Sequence, residues 1–218
     1  MQYQLKKSQK RKSVAIKIKS GQVFVYAPEQ ICERWLHSWV ESKSDWIRSK
    51  LELKVVEVAQ RPLDTGTVQI FGETFVIQRT DSGVSSIDFL NKYVMLRQSS
   101  NEWEELINIL KRILINYLEV VIAKYQPAIQ ARFDTLKVRI YKSRWGSFSS
   151  KGVLAFNTLL VGAPKWVIDY VVVHELCHYH VMAHNHAFWN LVTKHYGAGH
   201  QRARSYLREH GRRLMIEK

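Results

Sequence analysis

His174-Glu175-Leu176-Cys177-His178 spells H-E-x-x-H, a spacing with a direct chemical meaning. On a helix, residues four apart share one face with Cβ atoms about 5–6 Å apart. Two imidazoles so placed can each reach one zinc ion at about 2.0–2.1 Å. Glu175, one step round the helix from His174, can address a water on the open side of the metal. The chemistry is hydrolysis by an activated water. With 9 His and 19 Asp+Glu in the chain, only about a few hundredths of a chance match is expected. The competing reading is a helix that happens to carry two histidines.

Catalytic zinc usually keeps three protein ligands and one open position. His180, His184 and His186 all follow closely. His180 lies two residues past His178, so on a continuing helix it points off the shared face. Both His184 and His186 are far enough along for the chain to fold back to the metal; spacing leaves both open, with His184 preferred. Cys177 reads as packing rather than as a ligand.

The surrounding elements must position these groups. Val14, Ile16 and Ile18 alternate with Ala15, Lys17 and Lys19, and Ser20-Gly21 turns into Val23–Tyr26, so residues 13–26 read as a hairpin. A helical stretch is expected from Pro28 to about Val58, with Ile31, Trp35, Trp39, Trp46 and Ile47 as its core stripe. Val68–Ile70 and Phe75–Ile77 flank Gly72-Glu73, a second hairpin; Ile87–Phe89 and Tyr93–Leu96 flank Asn91-Lys92, a third. A helix follows from Asn101 to about Tyr125. Strands are expected at Leu136–Tyr141 and Val153–Phe156, with a polar loop over 142–152 between them. Pro164 suits the first turn of the motif helix, which runs to about Val181. Helices from about Asn185 to Tyr196 and from about Gln201 to Leu214 complete the chain. Strand-rich residues before 100 and helix-rich ones after it give an α+β protein with lobes at 1–100 and 101–218, in one continuous unit.

Composition narrows the class. The 218 residues carry Lys+Arg 33 against Asp+Glu 19, a formal net charge of +14. The excess sits at Lys6, Lys7, Lys10, Arg11, Lys12, Lys17 and Lys19, and at Arg202, Arg204, Arg208, Arg212 and Arg213. Such a field attracts nucleic acid or another polyanion, or simply keeps a surface solvated. No apolar run reaches the roughly 20 residues needed to cross a bilayer. The N-terminus has no apolar signal segment, so a cytoplasmic location is expected. Cys32 and Cys177 are too few for a disulfide framework and read as reduced, small hydrophobes.

The stretch from Ser143-Arg144-Trp145-Gly146-Ser147 through Val171-Val172-Val173-His174-Glu175-Leu176 to His184 and Phe188-Trp189 resembles the YgjP-like zinc metallopeptidase domain, which is related in its site to the SprT-like and WLM proteases. That family reads S-R-W-G-S-C, then V-V-x-H-E-L-x-H, five residues, a third His, and F-W four residues on. Residues 179–183 supply the five, so the resemblance puts the third ligand on His184. It implies a zincin-like core, Zn2+ as cofactor, Glu175 as general base and a peptide or protein substrate. The family's loop cysteine is Phe148 here, and its small helix residue is Cys177; neither change removes a ligand.

Within this frame Arg144 is the first candidate for oxyanion donor, and Val153–Phe156 the candidate edge for an extended substrate. Asp169 or Asn157 is the candidate to orient a ligand histidine. Two other functions fit the same residues: hydrolysis of nucleotide phosphoanhydrides, and a nucleic-acid-binding module with a structural metal.

Overall fold

In a computed structural model the described residues are 2–19, 22–48, 51, 61–81 and 83–216. They fall into two compact units, Met1–Val58 and Ala59–Lys218.

The first unit holds a three-stranded sheet of β1 (Gln4–Ser8), β2 (Ala15–Lys19) and β3 (Gln22–Pro28), in the order β1-β3-β2. The expected hairpin is β2 with β3, antiparallel from Ala15↔Tyr26 to Lys19↔Gln22; its turn, Ser20-Gly21, lies outside the described residues. Unread in the sequence was β1, which pairs parallel to β3. Val23, Val25 and Ala27 alternate inward onto Leu36 and Val40 of α1 (Glu33–Glu41) and onto Ile47. The expected long helix is interrupted: Ser42 and Lys43 form a turn, helix resumes over 44–48, and residues 52–58 lie outside the described ones. Within α1 the core face is Leu36 and Val40, one step round from Trp35, and the turn at 42–43 breaks the helical phase before Trp46. Ile31 and Trp39 pack against the core, whereas Trp35 is 52% and Trp46 47% exposed, a correction to their reading as core. Cys32 is exposed as well.

The second unit opens with the single turn α2 (Pro62–Thr65) and a four-stranded sheet: β4 (Thr67–Ile70), β5 (Glu73–Thr80), β6 (Ser86–Asp88) and β7 (Tyr93–Arg97), in the order β4-β5-β7-β6. The second hairpin turns at Phe71-Gly72, one residue earlier than its sequence suggested. Both residues have positive φ, 54° and 82°, as a two-residue hairpin with the sheet's own twist requires. Backbone bonds from Phe71 N–H to the Val161 carbonyl (2.7 Å) and from Gly72 N–H to Gly162 (3.2 Å) hold it there. The third hairpin, β6 with β7, is as expected.

Next comes α3 (Glu102–Ile129), with Pro127 in its last turn and Gln130 closing it in the left-handed conformation. A second small sheet follows: β8 (Thr135–Arg139), β9 (Gly146–Phe148) and β10 (Val153–Asn157), ordered β8-β10-β9. After a 3-10 turn at Thr158–Gly162 come α4 (Lys165–Cys177), α5 (His186–Tyr196) and α6 (His200–Leu214). Val68, Ile70, Phe75, Val94 and Leu96 of the sheet share one core with Leu106, Leu110 and Leu114 of α3 and with Val167, Val172 and Leu176 of α4. A border at residue 100 would cut through that core, so the units divide near residue 58 instead. The mixed α and β class is as expected, and among the described residues no helix is long and apolar enough to cross a membrane.

Candidate metal centre

The motif helix α4 is buried on most of its surface: Val167, Ile168, Val171, Val172, Val173, Leu176 and Cys177 all lie in the core. That burial makes it a rigid platform. The helix ends at Cys177, earlier than expected, and His178 is its C-cap in helical conformation. The i, i+4 relation of His174 and His178 therefore survives. The chain then turns through 178–180 and brings back His184, one residue before Asn185 caps α5 with its side chain on Phe188 N–H at 3.1 Å.

His174, His178 and His184 converge: one ligand atom from each lies within 4.8 Å of the other two. The Nε2 atoms of His174 and His184 are 3.0 Å apart. Two nitrogens on a tetrahedral zinc at about 2.0–2.1 Å would sit roughly 3.3 Å apart. Three imidazoles so close fit a shared cation better than they fit one another. His178 is 8% exposed, His174 half-buried and His184 exposed, so the cluster opens to solvent on the His184 side.

Each ring is oriented by a neighbour. His178 Nδ1–H donates to the Val181 carbonyl at 3.0 Å, which leaves Nε2 unprotonated and free to bind. His174 Nδ1 lies 3.3 Å from the Tyr170 hydroxyl, one helical turn back. Phe188 stacks on His178 at 4.5 Å. Trp189 stacks on His184 at 5.7 Å and its indole N–H donates to the His184 carbonyl at 3.2 Å. The loop histidine is thus pinned despite its exposure, and the F-W pair acquires a physical purpose.

Electrostatics favour the same species. Burial, then the neighbouring His178 and His184, push His174 down to about 3. His178 is lowered too, chiefly by burial. Near neutral pH both rings are the uncharged imidazoles a metal needs. Glu175 is 6% exposed, and burial pushes its carboxyl up to about 8 against the opposing pull of the Phe148 N–H and of Arg144. It rests against β9: a Cβ on Gly146 would come 2.6 Å from Glu175 Oε1.

The other expected residues are placed as follows. His180 turns away and its Nε2–H donates to the Ile129 carbonyl at 2.7 Å. His186 opens α5, with Asn190 Nδ2 at 3.1 Å from its Nδ1, and does not join the cluster. Cys177 is fully buried and burial raises its thiol to about 12, the environment of a packing residue. The Arg144 guanidinium stacks over Tyr141 at 5.0 Å and is felt by Glu175. Asn157 donates to the carbonyls of Tyr141 (2.8 Å) and Arg144 (3.0 Å), so it ties down the loop and orients no histidine. Asp169 accepts from the Tyr117 hydroxyl at 2.7 Å, away from the cluster.

The substrate edge is corrected. Strand β10 is paired on both sides, parallel with β8 and antiparallel with β9, so its edges are used. The free edge next to Glu175 belongs to β9, a strand too short to read from the polar loop. Sequence reasoning also missed Tyr170, which its i−4 spacing from His174 could have revealed, and Arg204, exposed on α6. The Arg204 guanidinium lies over Trp189 at 4.9 Å and its charge helps depress His174.

Comparison with known proteins adds a family. A family model described as "YgjP-like, metallopeptidase domain" matches residues 12–210. No curated protein matches the chain. Among solved structures, the metallopeptidase zymogen of Pyrococcus abyssi abylysin matches at 16% identity and TM-score 0.38, covering 42% of this chain and 93% of that one. The metallopeptidase zymogen of Methanocaldococcus jannaschii jannalysin matches at 18% identity and TM-score 0.36, covering 42% and 85%.

Proposed function

The chain belongs to the YgjP-like metallopeptidase family and is a metal-dependent hydrolase, and we propose that it is a zinc peptidase in which His174, His178 and His184 hold the ion and Glu175 is the general base. The observation that carries this reading is the convergence of three imidazoles beside a buried carboxyl, with His178 already committed to the tautomer that binds through Nε2. When bound, the ion supplies Lewis acidity to the reacting water and carbonyl.

The residues of the chain do the rest. Glu175 accepts one proton of the attacking water as its oxygen bonds to the scissile carbonyl carbon. As the C–N bond breaks, Glu175 returns that proton to the departing amine nitrogen. A carboxyl whose surroundings raise its pKa toward neutrality can both take and release a proton in that range. The loop of Arg144 lies beside Glu175, and its guanidinium is the candidate donor to the developing oxyanion once it leaves the Tyr141 ring. Beyond the Phe148 N–H that Glu175 takes, the edge of β9 offers outward backbone groups to an extended peptide, because the bonds Asn157 N–H to Trp145 O (2.8 Å) and Ser149 N–H to Val153 O (3.0 Å) turn the alternate residues toward β10.

The test is Glu175→Gln in zinc-loaded protein, with casein and nucleoside triphosphates offered as substrates. Zinc retained with casein hydrolysis lost supports the peptidase reading. Unchanged turnover removes Glu175 from the mechanism, and turnover of the triphosphates alone replaces peptide by phosphoanhydride as substrate.

A further inference from the structure

The outward face of the first unit's sheet has a composition that neither packing nor the metal centre uses. Along β3, Val23, Val25 and Ala27 point into the core, which turns Phe24 and Tyr26 outward, each only half-buried. They are two residues apart, about 6.6 Å along the strand. Cations from three directions lie over them: Lys6 of β1 over Phe24 at 5.0 Å, and Arg11 and Lys17 over Tyr26 at 5.2 and 5.5 Å. Among the described residues, none of these three cations is paired with a carboxylate. No Asp or Glu occurs before Glu29, and Glu33 is held by Lys7, which alternates to the opposite side from Lys6.

We propose that this face binds single-stranded nucleic acid, with bases stacking on Phe24 and Tyr26 and phosphates taken by Lys6, Arg11 and Lys17. Two adjacent rings on a central strand, ringed by cations that hold no carboxylate among the described residues, match what an unstacked polynucleotide presents: flat π faces joined by regularly spaced negative charge. On binding, each cation exchanges a weak ring contact for a phosphate and frees the ring for a base. A duplex keeps its bases stacked internally and cannot use the rings. An acidic peptide would use the cations and leave the rings idle. None of these residues belongs to the metal centre, so the inference stands apart from the peptidase reading.

The experiment is fluorescence anisotropy of the full-length protein with labelled oligo(dT) and oligo(rU) of about 20 nucleotides across a sodium chloride series. Binding should weaken with salt, and Lys6→Gln/Lys17→Gln should flatten the log–log slope by about 0.7 per cation removed. Phe24→Leu/Tyr26→Leu keeps the strand covered but removes the π faces, and should weaken binding by about tenfold per ring while leaving the salt slope unchanged. Several results would overturn the proposal: no binding at low salt, equal affinity for a duplex, competition by polyglutamate as strong as by oligonucleotide, or a salt slope untouched in the lysine variant. The lysine arm decides the matter even if the leucine variant unfolds. A preference between oligo(dT) and oligo(rU) identifies the sugar the face accepts, and either supports the proposal.

Discussion

Gly146 and Glu175 stand so close that a methyl group on the glycine would lie 2.6 Å from the carboxylate oxygen. The Glu175 carboxyl is thus seated by a backbone surface, with the Phe148 N–H beside it. Gly146→Ala must push Glu175 aside. Since a displacement of about 1 Å can cost on the order of a hundredfold in rate, the variant should lose between about tenfold and a hundredfold in kcat while binding zinc as before. Steady-state kinetics beside metal analysis checks this, and wild-type kcat would show that the carboxyl works from elsewhere.

His184 and His186 should behave differently. His184 Nε2 lies 3.0 Å from that of His174, whereas His186 keeps company with Asn190. Zinc affinity should fall by more than about tenfold in His184→Ala and stay unchanged in His186→Ala. Competition with a chromogenic chelator measures both, and loss confined to the second variant would reassign the ligand.

Tyr170 sits one turn before His174 with its hydroxyl 3.3 Å from Nδ1. Tyr170→Phe keeps the packing and removes that partner. Metal affinity should drop by about tenfold, at the lower end of what loss of an orienting partner costs. An unchanged dissociation constant would mean that ring packing alone orients the imidazole.

The metal-free protein should have a stability dome in pH. Glu175 is raised from 4.5 to about 8 in the folded state, so its contribution is fully present below about pH 4.5 and is lost as pH rises toward 8. His174 is depressed from 6.5 to about 3, so its contribution is present above about pH 6.5 and is lost as pH falls toward 3. Thermal melts in chelator should therefore show Glu175→Gln declining less than wild type between pH 6.5 and 8. Parallel curves would mean that the folded carboxyl titrates like an exposed one.

Much of this architecture is legible in the residues because period and spacing survive folding. The alternation in β2 and β3, the apolar run before His174 and the i, i+4 histidines each encode local geometry that tertiary packing only fills in. Others are invisible for physical reasons. Strand β1 carries Leu5-Lys6-Lys7 with no alternation, and its parallel partner β3 is remote in sequence. Strand β9 has only three residues inside a polar loop, which is why β10 read as an edge when it is central. The partner of His178 is the Val181 carbonyl, a backbone atom that no side-chain identity announces. The break at Ser42-Lys43 carries no proline or glycine to mark it, so nothing in the spacing signals the exposure of Trp46 beyond it, while Trp35 lies before the break on a helix whose core face is Leu36 and Val40.

X-ray absorption at the zinc edge of the metal-loaded protein tests the centre most directly, because it counts donors by element and distance. Three imidazole nitrogens at about 2.0–2.1 Å with one exchangeable oxygen are expected. A sulfur at about 2.3 Å, or a fourth imidazole closing the coordination sphere, would contradict this arrangement.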